Sequence, residues 1–565
     1  MTKFAEGAMM PEGLQYQDTT NEGLVTMTSA PEWLADAVIY EIYPQSFADS
    51  NGDGIGDLPG VLGHLDYLQW LGVNVIWFNP CFASPFRDAG YDVSDYLTIA
   101  PRYGSNEDMI TLVKEAKARG IRVLLDLVAG HTSMQHPWFR ASMNDPSDHR
   151  YIWSDRPGDA FVAAPGGSRG WYMKNFFPEQ PALNFGYSRL AADEPWRQLP
   201  DAAGPQANRA GLKEIIGYWL DRGVAGFRVD MAFSLVKDDP GLVETTALWR
   251  EVGEWMRQAH PDAVLLPESD ELRTVDAGVR GNFDADFSLV IHEEHSALFN
   301  NGGAGLLPWQ HEVEPCYFDP DADVDRGSRA FERFLGLWNH HLETNGPDRL
   351  VVLPSSDHDF SRLVCGNRTI EQLPAVFTFL LTWGSIPSIY YGDEIGMRYL
   401  EGAPEKEGSI WTPAFNRASC RTPMQWDDKL PNAGFSTGST ESLYLPQDPD
   451  VGRPTVAAQL DDAHSLVRFV QGLVQLRRSI PALGTRASTT VLSSGYPLVY
   501  LRDETHLIVV NPLRQATEVK VEIPAGTTAR HLFGRGAGLD DGVIRASGFG
   551  CGVFELSPLG DQGQS

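Results

Sequence analysis

The sequence predicts an α/β protein: a (β/α)8 TIM barrel with an inserted subdomain after the third strand and a C-terminal antiparallel β-sandwich domain. Three observations predict it. Short β-branched or aromatic runs ending in Pro, Asp, Gly or His alternate with amphipathic stretches of helical period. The alternation breaks between about residues 132 and 205. From about Thr490 the period becomes 2, as in half-buried antiparallel strands. A doubly wound sheet shares the alternation but is normally shorter. The 565 residues accommodate one barrel of about 250 residues plus accessories.

The elements follow in order. Residues 37–47 read as a strand, and residues 61–72 as a helix with Gly72 as its stop. Residues 73–80 are nearly all apolar, as a strand buried on both faces of a parallel sheet must be. Residues 106–120 read as a helix with Asn106 as N-cap, Glu107 and Asp108 at the positive end of the dipole, and Gly120 as terminator. Residues 121–128 are the third strand. The next stretch, rich in Trp, Pro, Gly and Asp, is too long for a structureless loop and reads as its own subdomain. The alternation resumes with a helix at 212–223 and strands at 224–230, 263–268, weakly near 283–290, 349–357 and 386–394. Residues 402–456 are loop-like and precede a helix at 463–478. The predicted division is a tail at 1–33, the barrel at 34–131 and 206–485, the insertion at 132–205 and the β domain at 486–565.

Lys and Arg number 45 and Asp and Glu 75, a net charge of −30. That field repels phosphate backbones and anionic lipids, so no nucleic-acid or membrane partner is expected. Five widely spaced cysteines form no metal or redox motif and suit a reducing compartment. Residues 1–27 contain no apolar run, so neither a signal peptide nor a membrane span is expected and a cytoplasmic location is.

Polar residues collect just past the strand ends: Asp126 to His131, Arg228 and Asp230, Glu268, and Asp357, His358 and Asp359. In a parallel barrel these ends converge on one face, where active sites sit. Carboxylates and histidines around one concavity suit acid–base work on a neutral polar substrate. Glycoside hydrolysis needs two carboxylates flanking the scissile bond. No lysine or P-loop lies among these residues, which disfavours phosphoryl transfer. The G-x-S-x-G match at 166–170 follows a proline in a loop, without the strand that a nucleophile elbow needs.

DLVAGH (126–131), GFRVD (226–230), LLPE (265–268) and SSDHD (355–359) resemble the four ordered signature regions of glycoside hydrolase family 13, the α-amylase superfamily. YEIYPQSF with DSNGDGIGDL, GYDVSDY and RTPMQWD resemble its α-glucosidase, oligo-1,6-glucosidase and trehalose synthase branch. The resemblance implies that Asp230 is the nucleophile, Glu268 the general acid and then base, and Asp359 the third acid that grips the sugar hydroxyls. The first two carboxyls should stand roughly 5–5.5 Å apart, as in retaining enzymes. Glu268 should start protonated, its pKa raised by burial and anionic neighbours, while Arg228 holds Asp230 ionised. His131 and His358 resemble hydroxyl-binding groups. Asp88 and Tyr91 resemble a pocket floor, with Arg421 as the charged partner of Asp88; such a pair would block further subsites and make the enzyme exo-acting. The implied activity is a retaining exo-acting α-glucosidase on small α-glucosides or oligosaccharides. The alternative is a glucosyl transferase or isomerase of trehalose synthase type with the same double displacement.

The loop Asp49, Asn51, Asp53, Ile55 (through its carbonyl) and Asp57 offers oxygen ligands at positions 1, 3, 5, 7 and 9 of an EF-hand-like loop, although Gly60 stands at position 12. A structural Ca²⁺ or Mg²⁺ is expected there. Three departures mark an atypical subfamily: Gly130 where relatives carry Asn, Met231 after the nucleophile, and Ala182 where relatives often show Asp.

Overall fold

Eight short strands pair in parallel, each with the next in sequence, and the last closes onto the first. They are β1 (Ile39–Ile42), β2 (Val75–Phe78), β3 (Arg122–Val128), β4 (Gly226–Asp230), β5 (Val264–Ser269), β6 (Asp286–Ser288), β7 (Val351–Pro354) and β8 (Ile386–Tyr390). The computed structural model describes residues 30–167, 169–269, 277–278, 280–288, 293–299, 316–345, 349–359, 361–407, 417–523 and 527–558. The closing register sets Ile39 against both Val75 and Ser388.

Strand alternation divides the core. Ile39, Val75, Trp77, Leu124, Val264, Leu266, Phe287, Val352 and Ile386 form one cluster inside the barrel, joined at one end by Leu34 and Ala35 of the short helix Glu32–Ala35. Their neighbours Tyr40, Ile76, Val123, Leu125, Phe227, Val229, Leu265 and Val351 belong to the larger cluster that includes the surrounding helices. Side chains two residues apart share a face. The inward row therefore runs from Leu124 to Asp126, from Gly226 through Arg228 to Asp230, from Leu266 to Glu268, from Ile39 to Glu41 and from Trp77 to Asn79. The apolar interior gives way to charge only at the carboxyl ends.

The expected helices form with shifted bounds. Ser105, not Asn106, caps Asn106–Ala118: its hydroxyl accepts from the Asp108 N–H, and the Asp108 side chain returns the bond. Asn106 instead accepts from the Ile99 N–H. The 61–72 stretch splits into Leu58–Leu62 and Leu65–Leu71 and stops at Gly72, whose φ is 93°. The helix expected at 212–223 begins earlier, spanning Ala203–Leu220. Between β3 and that helix lie the helix Pro137–Asn144 and a three-stranded sheet of Trp153–Ser154, Phe161–Ala163 and Trp171–Met173.

Six C-terminal strands make one continuous antiparallel sheet rather than two hydrogen-bonded sheets: β9 (Thr489–Ser493), β10 (Leu498–Arg502), β11 (His506–Val510), β12 (Thr517–Lys520), β13 (Thr527–Asp540) and β14 (Val543–Pro558). Both faces are nonetheless covered. Leu498, Tyr500, Ile508 and Val510 join the barrel's outer cluster, while Val499, Leu501, Leu507 and Val509 pack with Val521, Ile544 and Phe554. β14 pairs β12 at its start and β11 near its end, so one strand spans what would be two sheets. Among the described residues, no helix is long and apolar enough to cross a membrane.

Candidate active site

Arg228, fully buried on the inward row of β4, is the hub. Its Nη1 donates to both Asp126 oxygens at 3.1 Å and to Asp230 at 3.2 Å, and its Nη2 lies 3.1 Å from Glu268. Its guanidinium also sits 5.3 Å from the Trp77 ring centre. Three carboxylates thus share one cation. The expected contact between Arg228 and Asp230 is present, but the charge is divided. Burial, and then the neighbouring Glu268, push Asp230 well above the usual carboxylate range despite Arg228. Burial likewise raises Asp126 to about 6. Arg228 favours the ionised form of Asp230, as expected, but it divides its charge with Asp126 and Glu268, and burial with the neighbouring Glu268 acts against it.

The chain turns sharply after Asp230. Met231 adopts φ 43°, a left-handed conformation uncommon for a residue with a side chain. The turn aims the Met231 N–H at Glu268, which accepts it at 2.6 Å. Backbone strain after one acid thus anchors the other.

A second network surrounds Asp359. Its Oδ1 accepts from Arg417 at 2.9 Å and Arg421 at 3.0 Å, and its Oδ2 lies 3.3 Å from His358 Nε2. Burial alone would raise Asp359, yet His358, Arg417 and Arg421 together hold it well below the usual range. Burial holds His358 neutral, its pKa down to about 3. His358 Nδ1 meets Glu41 at 2.8 Å and Asn79 Nδ2 at 3.0 Å, and burial pushes the Glu41 carboxyl well above its ordinary range. His358 Nε2 lies 2.7 Å from the Tyr91 hydroxyl; because that hydroxyl donates to Asp126 at 3.1 Å, its oxygen is free to accept from Nε2. The Tyr91 and His358 rings stack at 5.5 Å with an 8° tilt.

Two assignments change. Asp88 pairs with Arg417 at 2.5 Å, not with Arg421, and its other oxygen accepts from Gln180 at 2.7 Å. Arg421 instead donates to the His358 carbonyl at 2.6 Å and to Asp359, so it orients the third acid. Arg421 directly follows the one-turn helix Ala418–Cys420, and Arg417 directly precedes it; both guanidinia reach Asp359, and Arg417 alone of the two also reaches Asp88. His131 was expected to bind a hydroxyl, but both its ring nitrogens are taken: Nε2 by the Tyr91 carbonyl at 3.0 Å and Nδ1 by Asn175 at 3.1 Å. Burial lowers His131 to about 4, consistent with a neutral structural ring.

The Asp49–Asp57 loop is closed by its own hydrogen bonds. Asp49 accepts from the N–H groups of Asn51, Gly52 and Gly54 and from Ser436 Oγ. Asn51 accepts from Asp53 N, Asp53 from Ile55 N, and Asp57 from Ser50 and Gly60. Gly54 has φ 94°, and a Cβ there would lie 2.0 Å from the Ser442 carbonyl oxygen, so only glycine fits. Among the described residues, no group of three or more His, Cys, Asp or Glu side chains is arranged to hold a metal. The donor types still suit a hard cation.

Glu41, Asn79, Gln180, Asn175 and Arg417 were not singled out from sequence. Glu41 and Asn79 were readable, since each stands two residues beyond an inward apolar residue of its strand. Arg417 and Asn175 lie in loops without a period.

A closed parallel barrel with carboxylates clustered at the carboxyl ends of its strands has the architecture of a TIM-barrel enzyme. The chain belongs to the α-amylase family of glycoside hydrolases: the family model "Alpha amylase, catalytic domain" matches residues 41–272 and 328–485. It is 30% identical to a glucan 1,6-alpha-glucosidase of Streptococcus pneumoniae serotype 4, over 87% of this chain and 93% of that one. It is 32% identical to a trehalose synthase of Pimelobacter sp., over 80% and 81% of the two chains. Among solved structures it resembles the alpha-glucosyl transfer enzyme XgtA, with TM-score 0.75 and 26% identity over 94% of this chain and 100% of that one. It also resembles the trehalulose synthase MutB of Pseudomonas mesoacidophila MX-45, with TM-score 0.73, 26% identity and the same coverage.

Proposed function

We propose that the protein is a retaining, exo-acting α-glucosidase that removes the terminal α-glucosyl unit of small α-glucosides. Asp230 attacks the anomeric carbon as the bond to the leaving oxygen breaks, and Glu268 gives that oxygen its proton. In the second step Glu268 takes a proton from water as the water oxygen displaces Asp230. Asp359, held ionised by Arg417 and Arg421, accepts sugar hydroxyls. Asp88, Tyr91, Arg228 and His358 shape the donor pocket.

The observation that carries the reading is the Arg417 bridge. One buried guanidinium spans Asp88 and Asp359, a charged bridge beside the third acid that would close the pocket to further sugar units. A second reading, transfer to a sugar acceptor, draws support from the trehalose synthase and glucosyl transfer relatives and from the apolar Met231 directly after the proposed nucleophile. Anomeric-proton NMR with maltose, isomaltose, nigerose, kojibiose, trehalose and sucrose tests both. α-Glucose should appear first from one of them. β-Glucose first from sucrose, whose leaving group is fructose, would overturn retention, and new glycosidic signals with little free glucose would move the assignment to transferase.

We further propose that Asp49, Asn51, Asp53, the Ile55 carbonyl and Asp57 take a Ca²⁺ or Mg²⁺ ion in a structural role. An ion at 100 times its dissociation constant stabilises the folded state by about 2.7 kcal/mol. Thermal unfolding in millimolar Ca²⁺ should therefore occur several degrees above that in EDTA. Coincident curves in EDTA, Ca²⁺ and Mg²⁺ would remove the ion.

A further inference from the structure

Gly130 leaves a space beside the nucleophile strand, and the inserted subdomain fills it. A Cβ at Gly130 would lie 2.8 Å from Ser234 Oγ and 2.9 Å from Asn175 Nδ2. Asn175 follows the inserted strand Trp171–Met173 by two residues. Its Nδ2 lies 3.1 Å from His131 Nδ1, 3.3 Å from Ser234 Oγ and 3.7 Å from Met231 Sδ. Its Oδ1 accepts from Lys237 Nζ at 2.8 Å, and Lys237 also donates to the Ser234 carbonyl. Burial pushes the Lys237 amine down to about 8. One amide therefore ties together the segment after β3, the segment after β4 and the insertion.

Met231 links this arrangement to the catalytic acids. Its backbone is strained, its thioether rests on Asn175, and its N–H holds Glu268. Glu268 is the group that takes the acceptor's proton in the second step. Releasing Asn175 would shift Met231 and Glu268 on the acceptor side, whereas Asp88, Asp359 and Arg417 would keep their contacts.

We propose that Asn175, braced by Lys237, is a positioning residue that sets, through Met231 and Glu268, how the glycosyl-enzyme divides between water and a sugar hydroxyl. This rests on the double displacement proposed above. In either outcome a bond forms from the acceptor oxygen to the anomeric carbon, the bond to Asp230 breaks, and the acceptor proton passes to Glu268. Only the acceptor differs.

The test uses p-nitrophenyl α-glucoside as donor and methyl α-glucoside as acceptor. Released p-nitrophenol counts glycosyl-enzyme formed, free glucose counts hydrolysis, and chromatography counts the transfer product. Asn175→Ala should change the transfer-to-hydrolysis ratio by roughly fivefold to tenfold, the scale of one hydrogen bond, and p-nitrophenol release by less than about threefold. Moving the amide, with Gly130→Asn added to Asn175→Ala, should return the ratio to within about twofold of the parent. Lys237→Met should move the ratio in the same direction and keeps the test decisive if Asn175→Ala does not fold. An unchanged ratio in these variants, or p-nitrophenol release falling in step with both products, would overturn the proposal. Full turnover by Asp230→Asn would instead overturn the reading beneath it.

Discussion

Asp230→Asn lowers turnover by roughly four orders of magnitude, the scale of loss when a residue of a catalytic unit is removed. The substitution keeps the size of the side chain and the oxygen that accepts from Arg228 at 3.2 Å, so the hub should persist. It removes the negative charge that makes the carboxylate a nucleophile toward the anomeric carbon. Stability should move the other way. Burial and Glu268 raise the folded pKa of Asp230 well above its ordinary value. An acid with a raised folded pKa costs stability once pH passes its unfolded value, because the unfolded chain then ionises while the folded one resists. Asparagine mimics the protonated form. The variant's melting temperature at pH 7 should exceed the parent's by roughly 1–3 °C, and the gap should close as pH falls below the unfolded carboxylate range. Turnover assays and thermal melts at two pH values check both parts. Undiminished turnover with an intact fold would remove Asp230 from the role.

Much of this was legible because barrel physics is periodic. A strand buried on both faces is apolar throughout, and its carboxyl end must be where polar residues begin. That placed Asp126, Asp230 and Glu268, spread over more than 140 residues of sequence, at one mouth. The same period would have given Glu41 and Asn79, each on the inward row, had it been counted one step further. What failed was partner choice in loops. Arg417 and Arg421 are four residues apart on either side of a single 3-10 turn, and no period says which one reaches Asp88. Gly130 was legible as a missing side chain, but its replacement came from Asn175, 45 positions away and on a different element. Local pattern encodes which residues face inward. Which loop side chain fills a gap is decided by tertiary packing, here by the turn that carries Asn175 onto His131 and Ser234.

The acid–base assignment has a sharper signature than loss of rate. Glu268→Gln keeps an oxygen able to accept from Met231 N–H, so the strained turn should survive. The variant loses the proton that the leaving oxygen needs. A sugar leaves as a poor alkoxide and depends on that proton, and general acid catalysis of this kind contributes about 10²–10⁴-fold. Activity on a disaccharide should fall by that factor. p-Nitrophenolate leaves without help, so the first step with p-nitrophenyl α-glucoside should fall by less than about tenfold. The second step still needs a base to take the water proton, so the glycosyl-enzyme should accumulate after a burst of p-nitrophenol. Azide carries no proton to remove and should restore turnover, giving an α-glucosyl azide by attack on the face opposite Asp230. A uniform loss on both substrates, with no burst and no azide rescue, would mean that Glu268 holds the site's shape through Arg228 and Met231 rather than moving a proton. The anomeric form of the azide product separately reports retention, because a β-azide would require that no β-linked intermediate on Asp230 had formed.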